Sequence, residues 1–186
     1  MIKKYLDLLM KFHRAKCGKG AQFISLFFGS VFFLFILPSL FMGIAHLISA
    51  YVTFDYSGIF KYPIITITLL TGLGILGWAT LCQLTLGHGT PAPSAPTQKL
   101  VVSGPYRYTR NPIELGALFY YFGFGWLFGS TLHGMVCLLL GWILGSSYHK
   151  FIEERELLLR FGDDYKAYRN NTPFLIPKIK IKIKRP

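Results

Sequence analysis

From Ala21 to Val52 the chain carries no Asp, Glu, Lys or Arg, and His46 is the one histidine in the run. That is longer than the roughly 20 residues that cross a hydrocarbon core, so a helix here is tilted, kinked at Pro38, or both. It also outlasts a signal-peptide core, and no small-residue cleavage site closes it, so it reads as a retained span. Three further apolar segments follow. Residues 64–86 form a second span containing Gly72, Gly74 and Gly77, small residues that permit close helix approach. A third, about 112–128, opens with proline at its first helical position, and the short uncharged turn 129–134 leads into a fourth ending near Tyr148.

Composition supports a lipid solvent: 52% of residues are hydrophobic and the mean hydropathy is +0.43, too apolar for a soluble domain of this length. The net charge of +12 raises the question of nucleic acid, but the distribution of charge answers it. Six of the 20 Lys and Arg precede Ala21 and ten lie from Lys150 onward, flanking apolar spans. With four spans, nineteen basic residues fall on one side and only Lys61 on the other; the positive-inside rule then puts both termini in the cytoplasm of a multi-pass protein, as in a bacterial-type inner membrane. Residues 1–16 alternate apolar and basic groups at helical spacing and predict an interfacial helix. Beyond Lys150 the helical pattern turns amphipathic, and the tail Lys178–Arg185 reads as a disordered or lipid-tethered basic segment. Cys17, Cys82 and Cys137 lack any disulfide or zinc spacing, and no metal site is expected.

Four polar stretches gather at span ends on the basic side: Gly87-His88-Gly89-Thr90-Pro91-Ala92-Pro93, Gly104-Pro105-Tyr106-Arg107-Tyr108, Arg110-Asn111-Pro112-Ile113-Glu114-Leu115-Gly116 and Glu153-Glu154-Arg155-Glu156-Leu157. Each has a plain structural explanation. A glycine pair after a helix serves a C-cap and turn, Arg107 and Arg110 serve as anchors, and Glu153, Glu154 and Glu156 offset basic neighbours. Adjacent carboxylates project about 100° apart on a helix, so only one or two of these face any given site. Glu114, two residues into a span, either snorkels, pairs with Arg110 one turn earlier, or lines a cavity. His46, His133 and His149 have no mutual ligand spacing and read as structural.

In order and spacing, these stretches resemble the isoprenylcysteine carboxyl methyltransferase and phospholipid methyltransferase superfamily over about residues 87–177. The resemblance implies S-adenosylmethionine as cofactor and a lipid-like or small apolar acceptor bearing a carboxylate, amine or thiol. Residue by residue it implies cofactor binding by Gly87, Gly89, Glu153 and Glu154; His88, Tyr106, Arg110, Asn111 and Pro112 are further expected cofactor-binding residues, and Arg110 and Glu114 the expected catalytic ones. Arg110, Pro112 and Gly116 match an Arg-His-Pro-x-Tyr-x-Gly signature in which Asn111 replaces His and Glu114 replaces Tyr. A carboxylate acceptor is ionised at neutral pH and needs no base, whereas an amine arrives protonated and needs one, such as Glu114 or Glu153.

The expected architecture is therefore an all-α integral membrane protein with about four transmembrane helices and amphipathic interfacial helices at both ends. It forms one membrane domain: an interfacial helix over 1–20, a two-helix hairpin over 21–86, a cofactor-binding catalytic part over 87–177 and a basic tail over 178–186. Its expected partners are the bilayer and a lipid-like substrate, with no nucleic acid. Two other readings fit the same pattern, a membrane reductase using a nicotinamide cofactor and a non-enzymatic scaffold or transporter subunit; neither internal repeats nor a polar line through several spans favours transport.

Overall fold

The computed structural model describes residues 10–11 and 18–177; the interfacial helix expected over 1–16 and the basic tail from Lys178 lie largely or wholly outside them. The described chain is helical, in the order α1 (Lys19–Ser49), α2 (Lys61–Thr85), α3 (Pro112–Phe128), α4 (Thr131–Tyr148) and α5 (Glu154–Asn171), with a π-helical turn, His149–Glu153, joining the last two. Three helical stretches are long and apolar enough to cross a membrane: α1, α2 and Thr131–Asn171, the last kinked at Gly162, whose φ is 54°. The expected all-α membrane fold is what forms. At 17 residues α3 is shorter, and it is also the most enclosed, packing against both α2 and α4 while α1 closes against α4. The large side chains on α1, among them Phe23, Phe28, Phe35, Leu40 and Leu47, point outward, the arrangement a hydrocarbon solvent favours.

Proline accounts for the irregularity in α1. Pro38 has no N–H to offer the carbonyl of Leu34 four residues back, and its ring disfavours a regular turn. The helix answers with a π-helical turn over Phe32–Ile36. The Leu34 carbonyl finds another donor: the hydroxyl of Tyr120 on α3, at 2.9 Å. Tyr120 and Tyr121 are buried with Phe41 and Cys137 in the central cluster, so a defect in one helix is repaired by a side chain from another.

Glycine sets the α2–α3 crossing. A Cβ on Gly72 would lie 2.6 Å from the Tyr120 amide nitrogen and 2.8 Å from the Gly116 carbonyl, and one on Gly116 would lie 2.9 Å from the Gly72 carbonyl. The two glycines thus face each other across a backbone contact. Gly74 and Gly77, read from sequence as part of the same contact, have no neighbour within 4 Å of where a Cβ would stand; they lie on the other side of α2, because only every third or fourth residue shares the crossing face.

At the end of the bundle opposite the polar stretches, Asp55 ties three helices. Its Oδ1 accepts from the Thr131 amide at 3.0 Å, the Thr131 hydroxyl at 3.1 Å and the Trp126 indole at 3.3 Å, while Oδ2 pairs with Lys61 at 2.9 Å. Lys61, then the Thr131 amide, hold its carboxyl down to about 2 from the ordinary 3.8. The stabilisation is therefore complete above pH 3.8 and is lost as pH falls through about 2. Melting temperature in micelles, followed from neutral pH downward, is expected to drop through that acid window in the wild type and to lack this component in Asp55→Asn. A second expectation concerns the proline repair: Tyr120→Phe strands the Leu34 carbonyl and is expected to cost about 1–3 kcal/mol, read as a lower melting temperature.

Candidate functional site

The segment 86–111 leaves α2 and returns to α3 without regular secondary structure beyond a short 3-10 turn, Gly104–Arg107. It begins by doubling back on itself. Gln98 and Lys99 amides both donate to the Gly87 carbonyl, at 2.6 and 3.2 Å, and the Thr90 amide donates to Ala95 at 2.7 Å. Gly89 lies against the backbone of Pro96 and Thr97, and a Cβ on Gly87 would fall 2.6 Å from the Gln83 carbonyl. Between them His88 takes a left-handed conformation, φ 54°, which costs a non-glycine residue some strain. The glycines are thus required by the fold of this loop itself.

Two other elements fasten the loop. Gln22 at the start of α1 donates to the His88 carbonyl at 3.2 Å, and Ser25 bonds Ser94 at 2.7 Å. On the other flank Arg160 of α5 donates to the Thr97 carbonyl and pairs with Glu156 at 2.9 Å. Both Glu156 and Arg160 are almost fully enclosed, so Glu156 is no solvated counter-ion.

The start of α3 is pinned to the end of α5. The Arg110 amide donates to Pro173 at 2.9 Å, while the Asn111 amide group and the Thr109 hydroxyl both donate to the Phe174 carbonyl, at 2.9 and 3.1 Å. Asn111 thereby anchors the C-terminal segment, and Pro112 is buried as the first residue of α3. A cavity of about 310 Å³ opens between these pieces, lined by Arg110, Arg169, Asn171 and Phe174 among others.

At its edge Arg110 Nη1 lies 2.9 Å from Glu154 Oε1, with both side chains nine-tenths buried. Lys150 and Arg169 approach the other Glu154 oxygen at 3.8 and 3.9 Å. The Arg110–Glu154 contact is close but poorly aligned. Arg110 Nε and Nη1 and Glu154 Oε1 are all buried without a hydrogen-bond partner, a state that ordinarily costs a kilocalorie or more per group and signals an unfilled partner.

Glu114 chose neither Arg110 nor the surface. It is buried beneath α4, where Gly145 leaves room for it: a methyl there would sit 3.1 Å from Glu114 Oε1. Ser146 donates to that oxygen at 2.5 Å, and His149 Nε2 stands 3.7 Å from Oε2. The other ring nitrogen of His149 is bonded to Glu153. Tyr106 is buried nearby, its hydroxyl accepting from Gln83 at 2.6 Å and its carbonyl accepting from Tyr168 at 2.6 Å. Burial, and after it the charge of Glu153, push the Tyr106 phenol well above its ordinary value.

Of the residues singled out in the sequence, the fold therefore brings Arg110 to Glu154, and Glu114 through His149 to Glu153, with Tyr106 within electrostatic reach. The Gly87–Gly89 turn is joined to the same helix through Thr97 and Arg160 rather than to Arg110 directly. No site role for His149, Ser146, Glu156 or Arg160 is expected from the sequence. The i,i+4 spacings His149–Glu153 and Glu156–Arg160 are the signals that could have found them.

Apolar rods surrounding a charged, half-enclosed cluster at one end define a helical membrane protein with a polar site at the bundle mouth. The family model for phospholipid methyltransferase matches residues 64–164, just over half of the chain, and the protein belongs to that family. It is a membrane methyltransferase by that membership. No curated protein and no solved structure matches the chain.

Because Arg160 is the tie between α5 and the glycine loop, Arg160→Met is expected to raise amide hydrogen exchange at Gln98 and Lys99 while α2 and α3 stay protected. Equal protection in both proteins would mean that the loop holds itself.

Proposed function

We propose that this protein transfers the methyl group of S-adenosylmethionine to an acceptor delivered by the bilayer, at the end of the bundle formed by Arg110, Glu114, Tyr106 and Glu154. The observation that carries this is the set of unsatisfied groups at one spot: buried N–H donors on Arg110 beside a buried acceptor oxygen on Glu154. An amino-acid zwitterion is the complementary shape, its carboxylate to Arg110 and its ammonium to Glu154. Family membership supplies the methyl-transfer chemistry. When bound, the cofactor supplies an electrophilic methyl on a sulfonium, which a nucleophile attacks in line.

The chain's own contribution is then position and charge rather than a covalent intermediate. Tyr106 offers a π-face near the cluster for a cationic centre. Asn111 and Pro112 set the start of α3, and Gly87, His88 and Gly89 shape the loop that closes the mouth. Glu153, one residue before Glu154, borders the donor site. The basic residues flanking the apolar spans favour a cytoplasmic setting for this end and for both termini, the compartment in which the cofactor is dissolved. The lipid-like acceptor enters sideways between helices.

Titration calorimetry of the purified protein with S-adenosylhomocysteine is expected to give saturable binding, weakened more than about tenfold in Glu154→Gln and in Arg110→Gln, the loss of one charged partner. Absence of binding heat from folded wild-type protein, alongside a response to a nicotinamide dinucleotide, would replace this reading with the reductase.

A further inference from the structure

The two halves of α1 are held very differently. Beyond the π-helical turn, Pro38, Phe41 and Ala45 are buried, and this half closes against α4. Before the turn, over Lys19–Val31, no residue is buried, and Phe23, Phe27 and Phe28 are exposed, as on a helix surrounded by lipid. Between the halves lie the π-helical turn Phe32–Ile36 and Pro38, the kind of interruption at which helices bend. Tyr120 fixes the pivot by bonding the Leu34 carbonyl. The 13 residues before it therefore form an arm.

What the arm touches is the glycine loop. Gln22 donates to the His88 carbonyl at 3.2 Å, Ser25 bonds Ser94 at 2.7 Å, and a Cβ on Gly29 would lie 3.8 Å from that of Ala92. Positions 22, 25 and 29 recur at spacings of three and four, so they share one face of the helix. Both hydrogen bonds are exposed, where each contributes little net stability. His88, whose carbonyl Gln22 holds, is the residue in the left-handed conformation, φ 54°. Weak restraints on a strained residue make an element with two accessible states.

We propose that residues 19–31 are a hinged latch on the loop at the mouth of the bundle, and that the latch must open for the water-soluble donor to enter and its demethylated product to leave. The proposal rests on the methyltransferase reading above, in which Gly87, His88 and Gly89 shape the loop that closes the mouth. When the arm swings about Phe32–Ile36, Gln22 and Ser25 part from His88 and Ser94. His88 then relaxes, and the first part of the loop lifts. Arg160 keeps the far part in place through the Thr97 carbonyl, so the movement is confined to about residues 88–96. Exchange of a bound molecule is commonly governed by such a local opening.

The test uses the full-length protein in lipid nanodiscs. Serine oxygens 2.7 Å apart put sulfur atoms at the same two positions within bonding reach, so Ser25→Cys combined with Ser94→Cys is expected to form a disulfide under mild oxidant, seen by non-reducing peptide mapping. Loaded with tritiated S-adenosylhomocysteine and then oxidised, this variant is expected to release the label at least about tenfold more slowly than when reduced. Dithiothreitol restores the rate, and the wild type releases at one rate in both conditions. Independently of the cofactor, Gln22→Ala combined with Ser25→Ala is expected to raise amide hydrogen exchange at Gly89 and Thr90 by about tenfold or more, while α3 and α4 keep their protection. The proposal is overturned by a disulfide that leaves release unchanged, by cysteines that do not join, or by equal exchange at Gly89 and Thr90 in the double alanine variant and the wild type. Wild-type protein that binds no S-adenosylhomocysteine sinks the methyltransferase reading instead, and the exchange measurement still judges the latch.

Discussion

The Arg110–Glu154 ion pair joins the beginning of α3 to the helix that follows α4, and the mouth of the bundle is organised around it. Within lipid, a charge or a bare peptide group has nowhere to turn but another part of the protein. The structure meets that demand at the Pro38 irregularity and at both ends of the bundle. Pro38 frees a carbonyl and Tyr120 caps it; the far turn is gathered on Asp55; the near end is gathered on Arg110, Glu154 and the backbone bonds from Thr109–Asn111 to Pro173 and Phe174. What separates the near end from the others is that its pairing is incomplete. The buried unsatisfied atoms concentrate on Arg110, Glu114 and Glu154, with others on Gln83 and Arg160, and incompleteness of that kind is how a binding site differs from a structural staple.

The two neighbouring glutamates illustrate how much depends on helix phase. Glu153 bonds His149, and Glu154 pairs with Arg110. Adjacent positions on a helix point in different directions, and the π-helical turn that ends at Glu153 fixes which direction each takes. Glu154 is thereby turned toward Arg110 at the start of α3, and Glu153 toward His149, which faces Glu114.

Much of the architecture was legible in the order of residues. Long runs without charge set the rods, Pro112 marked the first residue of α3 within the chain, and Gly72 marked a helix crossing. The glycine, arginine and glutamate motifs were read at span ends, and the structure joins Arg110 to Glu154 and Thr97 to Arg160 at one end of the bundle. What could not be read was whatever depends on local phase or distant partners. Neither π-helical turn has a period that shows in hydropathy. Gly72 and Gly74 look alike in sequence, yet only one meets Gly116. Asn111 resembled a ligand position and serves as a clasp for Phe174, a residue more than sixty positions away. His149 looked solitary because Glu114, which faces its Nε2, lies on another helix, and its bond to Glu153 showed in the sequence only as an i,i+4 spacing.

The account depends most on a methyl group passing from a water-soluble donor to a bilayer-borne acceptor at the Arg110–Glu154 end. The direct measurement is transfer of tritium from methyl-labelled S-adenosylmethionine into the organic phase, using purified protein in bilayers made from a total membrane lipid extract. Label in the lipid fraction with wild-type protein, and at background with Glu154→Gln, is the predicted result. Unlabelled lipid in the presence of folded protein that binds S-adenosylhomocysteine, or equal labelling by both proteins, would contradict it.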